Sequence, residues 1–221
     1  MTFTYNDVEI ELLGHASFRL RYKDHIIYID PYEIEQGQKG DLILITHEHY
    51  DHCSPSDIEK VSNDDTLIIT TEKAARKLRG NIRITKPGDV IRLAEIVIES
   101  VMAYNKDKPF HPVGQGVGFI ITINNTRIYH TGDTDFIYEM KKIKDIDIAF
   151  LPVSGVYVMN ADEAAEAVEY IRPKVAIPMH YGSIVGSLTE AEMFAEMAEC
   201  EVKILSTKTC KPGECQAKEE E

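Results

Sequence analysis

At 221 residues the chain has room for one large domain, or for two halves sharing a core, and 43% apolar content allows a sizeable buried interior. A formal net charge of −13 argues against a nucleic-acid surface, which needs a basic stripe to displace counterions. The apolar runs are too short to span a bilayer, and the start Met1-Thr2-Phe3-Thr4-Tyr5-Asn6-Asp7 lacks the basic and apolar regions of a secretory signal, so the cytoplasm is the expected location.

Strands are predicted at Val8 to Leu13, Phe18 to Tyr22 and His25 to Asp30, with Lys23-Asp24 as a tight connection. The continuous apolar run Leu42-Ile43-Leu44-Ile45 reads as a buried strand. Ser54-Pro55-Ser56-Asp57 then opens a helix to about Val61, with a serine cap, proline at the first helical position and an acid in the first turn. A strand at Thr66 to Ile69 and a helix at Glu72 to Leu78, capped by Thr71, follow. Next come strands at Asp89 to Leu93 and Ile96 to Val101, then Val117 to Ile123 and Arg127 to His130 around an Asn124-Asn125 turn. The rest reads as a strand at Ile146 to Leu151, a helix at Ala161 to Ile171 capped by Asn160, and a strand at Val175 to Ile177. A helix opened by the capping box Thr189-Glu190-Ala191-Glu192 runs to about Glu199, and a strand at Val202 to Leu205 closes the pattern. Strands first, then strands alternating with helices, predict an α/β architecture of two mixed sheets packed face to face with helices outside. One domain is expected over residues 1–207, with a mobile polar tail over 208–221.

The chemistry concentrates in Thr46-His47-Glu48-His49-Tyr50-Asp51-His52, directly after the buried strand at 42–45. His47, His49 and Asp51 alternate and can point one way from an extended loop, with His52 across from them. Imidazole and carboxylate are the usual nitrogen and oxygen ligands of zinc. The chain has eight histidines, so three of them within six positions make a chance His-rich turn a poor explanation. Cys53 beside the run reads as a small residue packed beneath the loop rather than as a ligand or nucleophile. Cys200 is isolated, and Cys210 and Cys215 have the wrong spacing for a zinc knuckle. Further polar outliers fall at other predicted strand ends: Asp30, His130 with Asp133, and His180 with Tyr181. His111 lies in a loop before a strand. Loops on one edge of a rigid sheet are where such residues converge.

Taken in order, His47, His49, Asp51, His52, His111, the Asp133 of a Gly-Asp-Thr loop and the late His180 resemble the metallo-β-lactamase superfamily of metal-dependent hydrolases. Gly14-His15-Ala16-Ser17, Ile29-Asp30-Pro31 and Pro178-Met179-His180-Tyr181-Gly182 look like the ascorbate-phosphate lactonase-like subgroup, which is similar in turn to N-acyl phosphatidylethanolamine phospholipase D. The resemblance implies a four-layer αββα sandwich. It also implies two divalent metal ions, zinc first, with manganese or iron able to fill the same donors. His47, His49 and His111 would hold the first ion and Asp51, His52 and His180 the second, with Asp133 bridging. A hydroxide shared by the two metals would then cleave an ester-type bond, a lactone or phosphodiester, with Asp51 holding it in line and taking its proton.

His15 reads equally as a satisfied structural histidine or as a substrate-facing group, and His15 and Tyr181 are the two candidates for protonating the leaving group. Asp30 is expected to orient the ligand loop through hydrogen bonds. His130 reads as a strand-end hydrogen-bonding residue and His25 as a surface one. Two dications against Asp51, Asp133 and hydroxide leave a net positive site, so a small anionic substrate is expected, with Lys106 and Lys108 either extending the field or simply solvated. Two alternatives stand beside hydrolysis. One is iron-dependent redox chemistry on the same fold, although flavodiiron proteins place Glu where this chain has His49. The other is a non-catalytic metal-binding protein.

Overall fold

Two seven-stranded sheets carry the chain, the first half in one and the second half in the other. The computed structural model describes residues 2–205. The expected tail at 208–221, with Cys210 and Cys215, lies outside them. In the first sheet β1 (Thr2–Tyr5), β2 (Val8–Gly14), β3 (Ser17–Tyr22), β4 (His25–Ile29), β5 (Leu42–Ile45), β6 (Leu67–Thr70) and β7 (Asn81–Ile84) lie side by side in chain order. The second sheet runs β8 (Val90–Leu93), β9 (Ile96–Ala103), β10 (Gly116–Ile123), β11 (Thr126–His130), β12 (Ile148–Pro152), β13 (Val175–Met179) and β14 (Glu201–Val202). Each sheet is antiparallel over its first four strands and parallel thereafter.

Local chemistry explains the division. All the antiparallel pairs except β9–β10, which are joined by the loop 104–115, are connected by two-residue turns with positive φ at Asn6 and Asp7, His15, Lys23, Ala94, or Asn124 and Asn125. The parallel strands β5, β12 and β13 are buried along their whole length, as strands covered on both faces must be. Between the sheets lies one apolar core, in which Phe18 of β3 stacks on Phe150 of β12 with centroids 3.9 Å apart. On the outer face of the first sheet, α1 (Pro55–Val61) and the single turn α2 (Glu72–Ala75) cover Tyr28, Ile43, Ile45 and Ile68. On the outer face of the second, α3 (Ala161–Ile171) and α4 (Leu188–Met197) bury Ala164, Val168, Ile171, Ala191 and Phe194. The result is the αββα sandwich. No helix among the described residues is long and apolar enough to cross a membrane.

Several element boundaries differ from the sequence reading. The outermost strands β1 and β7 were not expected, because each is only four residues long and none of its side chains is fully buried. A 3-10 helix at Tyr138–Lys142 was also unforeseen. The α2 helix stops at Ala75 rather than Leu78, and the Thr71 side chain makes no capping bond. The α4 helix begins two residues earlier than the Thr189 box implies. Ser187 is its cap, and Glu190 Oε2 accepts from the Ser187 backbone N–H at 2.7 Å. The final strand is only Glu201–Val202.

The α1 cap does more than start a helix. The buried carboxylate of Asp57 accepts from the backbone N–H of Glu33 and of Ile34, both at 3.1 Å, and from Ser54 Oγ and Lys60 Nζ at 2.7 and 2.8 Å. It thereby ties the loop after β4 to the helix that follows the His-rich run. Burial alone would raise this carboxyl, but Lys60 and Ser54 hold it below its ordinary value. Asp57→Asn should cost about 1–3 kcal/mol in urea unfolding at pH 7. A depressed folded value means the Asp57 contribution is complete above the unfolded pKa of ~3.9 and is lost as the pH falls through the folded one. Wild type and variant should therefore converge in acid; equal stability at pH 7 would show that the charge contributes nothing.

Candidate metal centre

The parallel strands of both sheets deliver their following loops to one edge of the sandwich. There β5 ends in Thr46 and the His-rich run, while β11 and β13 end just before Asp133 and His180. Gly132 makes the first of these turns possible: its φ is +65°, and a Cβ there would stand 2.7 Å from the Val117 carbonyl oxygen. Gly118 lets the end of β11 approach β10, since its Cβ would meet the Thr131 carbonyl at 2.8 Å.

Asp30 sits beneath the site with no solvent exposure. Its Oδ1 accepts from the Thr46 backbone N–H at 2.8 Å, and its Oδ2 from the Thr46 hydroxyl at 2.6 Å and from His52 Nδ1 at 2.7 Å. Three other rings are held by their outer nitrogens in the same manner: His47 Nδ1 by Thr46 Oγ1 at 3.0 Å, His111 Nδ1 by Asn105 Oδ1 at 2.9 Å and His180 Nδ1 by Ser154 Oγ at 3.1 Å. With Nδ1 occupied, Nε2 of each ring is left to point inward.

The inner nitrogens converge in two groups. His49 Nδ1 stands 3.1 Å from both His47 Nε2 and His111 Nε2. Donors bound tetrahedrally at ~2.0–2.1 Å stand ~3.3 Å apart, so this spacing suits a single ion. On the other side, Asp51, His52, His180 and His15 each place a donor within 4.8 Å of the others. Asp133 lies between the groups. Its Oδ2 is 3.2 Å from His111 Nε2 and 3.1 Å from His180 Nε2, and its Oδ1 is 3.3 Å from His52 Nε2. His52 Nε2 and Asp133 Oδ1 are buried with no hydrogen-bond partner among the described residues. Such orphaned donors cost free energy unless a cation satisfies them, so the residues fit divalent metal.

The electrostatics agree. Burial, reinforced by the His52 charge, drives His47 well below its usual range, which keeps it in the neutral ligand form. Burial would raise Asp133, but His180 and His52 hold it far down as a carboxylate. Burial opposes charge on His52 as well, yet Asp133 and Asp30 raise it well above normal. The carboxylates thus draw positive charge to the centre of the cluster.

Other residues singled out by sequence fall into clear places. His15 is buried, with φ +49°, and its Nε2 lies 3.1 Å from Asp51 Oδ2 while its ring stands 3.9 Å from that of His180. Burial, with His180 adding to it, lowers His15 to about 4. The Tyr181 hydroxyl, by contrast, donates to the Leu205 carbonyl at 3.4 Å, away from the inner donors, and burial pushes it up to about 12. Lys108 is not a free field-extending charge: its Nζ donates to Asp135 Oδ1 at 2.6 Å and to the Val158 carbonyl at 2.9 Å. Lys106 is exposed. His130 bonds the Ala16 carbonyl through Nε2 at 3.0 Å and accepts from Gly132 N–H through Nδ1, and His25 is partly exposed on its hairpin. Cys53 is packed beneath the loop, with its thiol raised to about 11 by burial. Sequence reasoning passed over Asn105 and Ser154, which orient His111 and His180. Neither stands in a local pattern; each is recognisable only by what the fold brings beside it.

The profile of the β-lactamase superfamily domain matches residues 9–180. The chain belongs to the metallo-β-lactamase superfamily. Within the superfamily it is similar to a UPF0173 metal-dependent hydrolase of Nanoarchaeum equitans, at 35% identity over 80% of this chain and 85% of the relative. A solved structure from Parabacteroides distasonis, assigned as a metal-dependent hydrolase, superposes with a TM-score of 0.85 at 35% identity, covering 94% of this chain and 98% of that one. The metallo hydrolase Igni18 of Ignicoccus hospitalis shares the fold at a TM-score of 0.74 and 22% identity, over 90% of this chain and 94% of its own.

For this superfamily member, Asp30→Asn leaves a side chain of the same shape but removes the charge that orients His52. Zinc affinity, measured by competition with a chromophoric chelator, should fall about 10–100-fold while circular dichroism stays unchanged. Unaltered affinity would mean that Asp30 supports the fold alone.

Proposed function

We propose that this chain is a dinuclear metal-dependent hydrolase that cleaves an ester-type bond, a lactone or a phosphodiester, in a small substrate. The observation that carries this reading is Asp133: one carboxylate standing between His47, His49 and His111 on one side and Asp51, His52 and His180 on the other. Two divalent ions held there, zinc first and manganese or iron on the same donors, would lower the pKa of a water to near ~7 and polarise the substrate oxygen.

The chain's own residues supply orientation and proton handling. Asp51 Oδ2 is fixed by His15 Nε2, and although burial opposes its charge, His15 and His52 keep the carboxyl far below its usual range. It is therefore a carboxylate at neutral pH, able to align the nucleophile and accept its proton. His15, neutral and buried, serves as a positioning residue rather than as the acid. Because the Tyr181 hydroxyl is bonded elsewhere, Asp51 is the group on hand to return the proton to the leaving oxygen. With Lys108 engaged, the expectation of an anionic substrate group rests on the metal charge, which exceeds that of Asp51 and Asp133.

Elemental analysis of protein purified without added metal or chelator should give about two ions per chain, falling to about one or fewer in Asp133→Asn. Hydrolysis of bis(p-nitrophenyl) phosphate or a γ-lactone should vanish with chelator, return with zinc or manganese, and drop by about 10²-fold or more in Asp51→Ala. Bound iron with oxygen consumption, or intact di-metal protein inert across ester panels, would replace hydrolysis with the redox or the binding alternative.

A further inference from the structure

Four aromatic rings frame the mouth of the metal centre, each tied to one of its residues. Tyr32 follows Asp30 by two positions, Tyr50 lies between His49 and Asp51, and Phe110 precedes His111. Tyr157 offers its backbone carbonyl to Asn105 Nδ2 at 2.9 Å, the same Asn105 that orients His111. The rings meet edge to face in two pairs, Tyr32 with Tyr50 at 5.9 Å and Phe110 with Tyr157 at 4.7 Å between centroids. The Tyr32 ring is 6.5 Å from that of His15, which bonds Asp51, while Tyr157 shares Asn105 with His111, so one pair flanks each donor group and the two make an arc beside the cluster.

These rings are not in the core. Tyr50 is 62% exposed and Phe110 43%, and two further apolar side chains, Val113 at 63% and Val156 at 51%, stand in the same loops. Scattered single exposures would mean little, but Tyr50, Phe110 and Val113 stand in loops that carry inner donors, and Val156 in the loop of Ser154 that orients His180, so together they mark a binding surface. Apart from the exposed Lys106, the lysines around the arc are engaged. Lys73 donates to Gln115 Oε1 at 2.5 Å and faces Glu48, Lys77 donates to the Glu48 carbonyl at 2.6 Å, and Lys108 is held by Asp135. An anionic part of a substrate would find its countercharge at the metals, while whatever lies beyond the scissile bond meets aromatic edges and faces.

We infer that the substrate carries a flat, aryl-sized apolar group next to its scissile bond, and that Tyr32, Tyr50, Phe110 and Tyr157 select it. This rests on the hydrolytic reading of the metal centre, so the test separates the two. Phenylphosphonate and methylphosphonate share a tetrahedral anionic head and differ in the group the arc would hold. Titrated calorimetrically into the metal-loaded full chain, phenylphosphonate should bind about tenfold more tightly. The double variant Y50S/F110S should lose that preference while retaining its metal content; the wild-type comparison decides the matter if the variant fails to fold. Equal wild-type affinities, or a preference untouched in a folded double variant, would overturn the aryl site and leave the metal centre standing. A stable homodimer that Y50S/F110S dissociates would overturn it too, by giving the arc to a second copy. No affinity for either phosphonate on protein of verified metal content would bring down the hydrolytic reading and this inference with it.

Discussion

A single buried carboxylate organises this molecule. Asp30 has no contact with solvent, and an ionised group in that position is tolerable only because every oxygen is used: two bonds go to Thr46 and one to His52. Those bonds splice the end of β4 to the loop after β5, so the His-rich run cannot rotate as an independent turn. From this clamp the remaining geometry follows. Thr46, held by Asp30, in turn holds His47, and His52, held by Asp30, faces Asp133 from below.

The second sheet answers with supports of its own, which are neutral rather than charged. Asn105 and Ser154 orient His111 and His180 through an amide and a hydroxyl. Of the rings held through Nδ1, His52 alone rests on a carboxylate, while His47, His111 and His180 rest on neutral groups. Those partners differ in basicity, and the rings they hold should differ as donors accordingly. The backbone is committed as well. His15, Asp30 and His180 all adopt positive φ, a conformation that costs non-glycine residues roughly 1 kcal/mol or more and that persists only where surrounding bonds impose it.

Much of this was legible before any coordinates. The apolar runs at β5 and β13, the serine-proline start of α1 and the asparagine cap of α3 are local signals with local causes, and they place the loops that matter. The run from His47 to His52 announces its own chemistry. What could not be read is non-local. Asn105 becomes a support only because its loop folds back on His111, and Tyr181 points to Leu205 only because its strand lies beside the end of the chain's last pairing. The edge strand β7 alternates polar and apolar residues over only four positions and buries none of them fully, too short a signal to mark a strand, and α4 begins where Ser187 can close its box rather than at the next eligible threonine. Lys108 shows the same limit: its charge is visible in the sequence, its partner Asp135 is not.

The inner donors are divided between the two sheets: His15, His47, His49, Asp51 and His52 come from the first, and His111, Asp133 and His180 from the second. Any ion bound by both sets is a rivet through the sandwich, and its free energy of binding is added to that of folding. At a thousandfold excess over the dissociation constant this amounts to about 4 kcal/mol, comparable to the whole net stability of a modest domain. Metal supply would then set the lifetime of the protein as well as its turnover: a chain starved of its ions loosens along the seam between its halves and becomes a substrate for proteolysis, so scarcity removes the catalyst instead of leaving it idle.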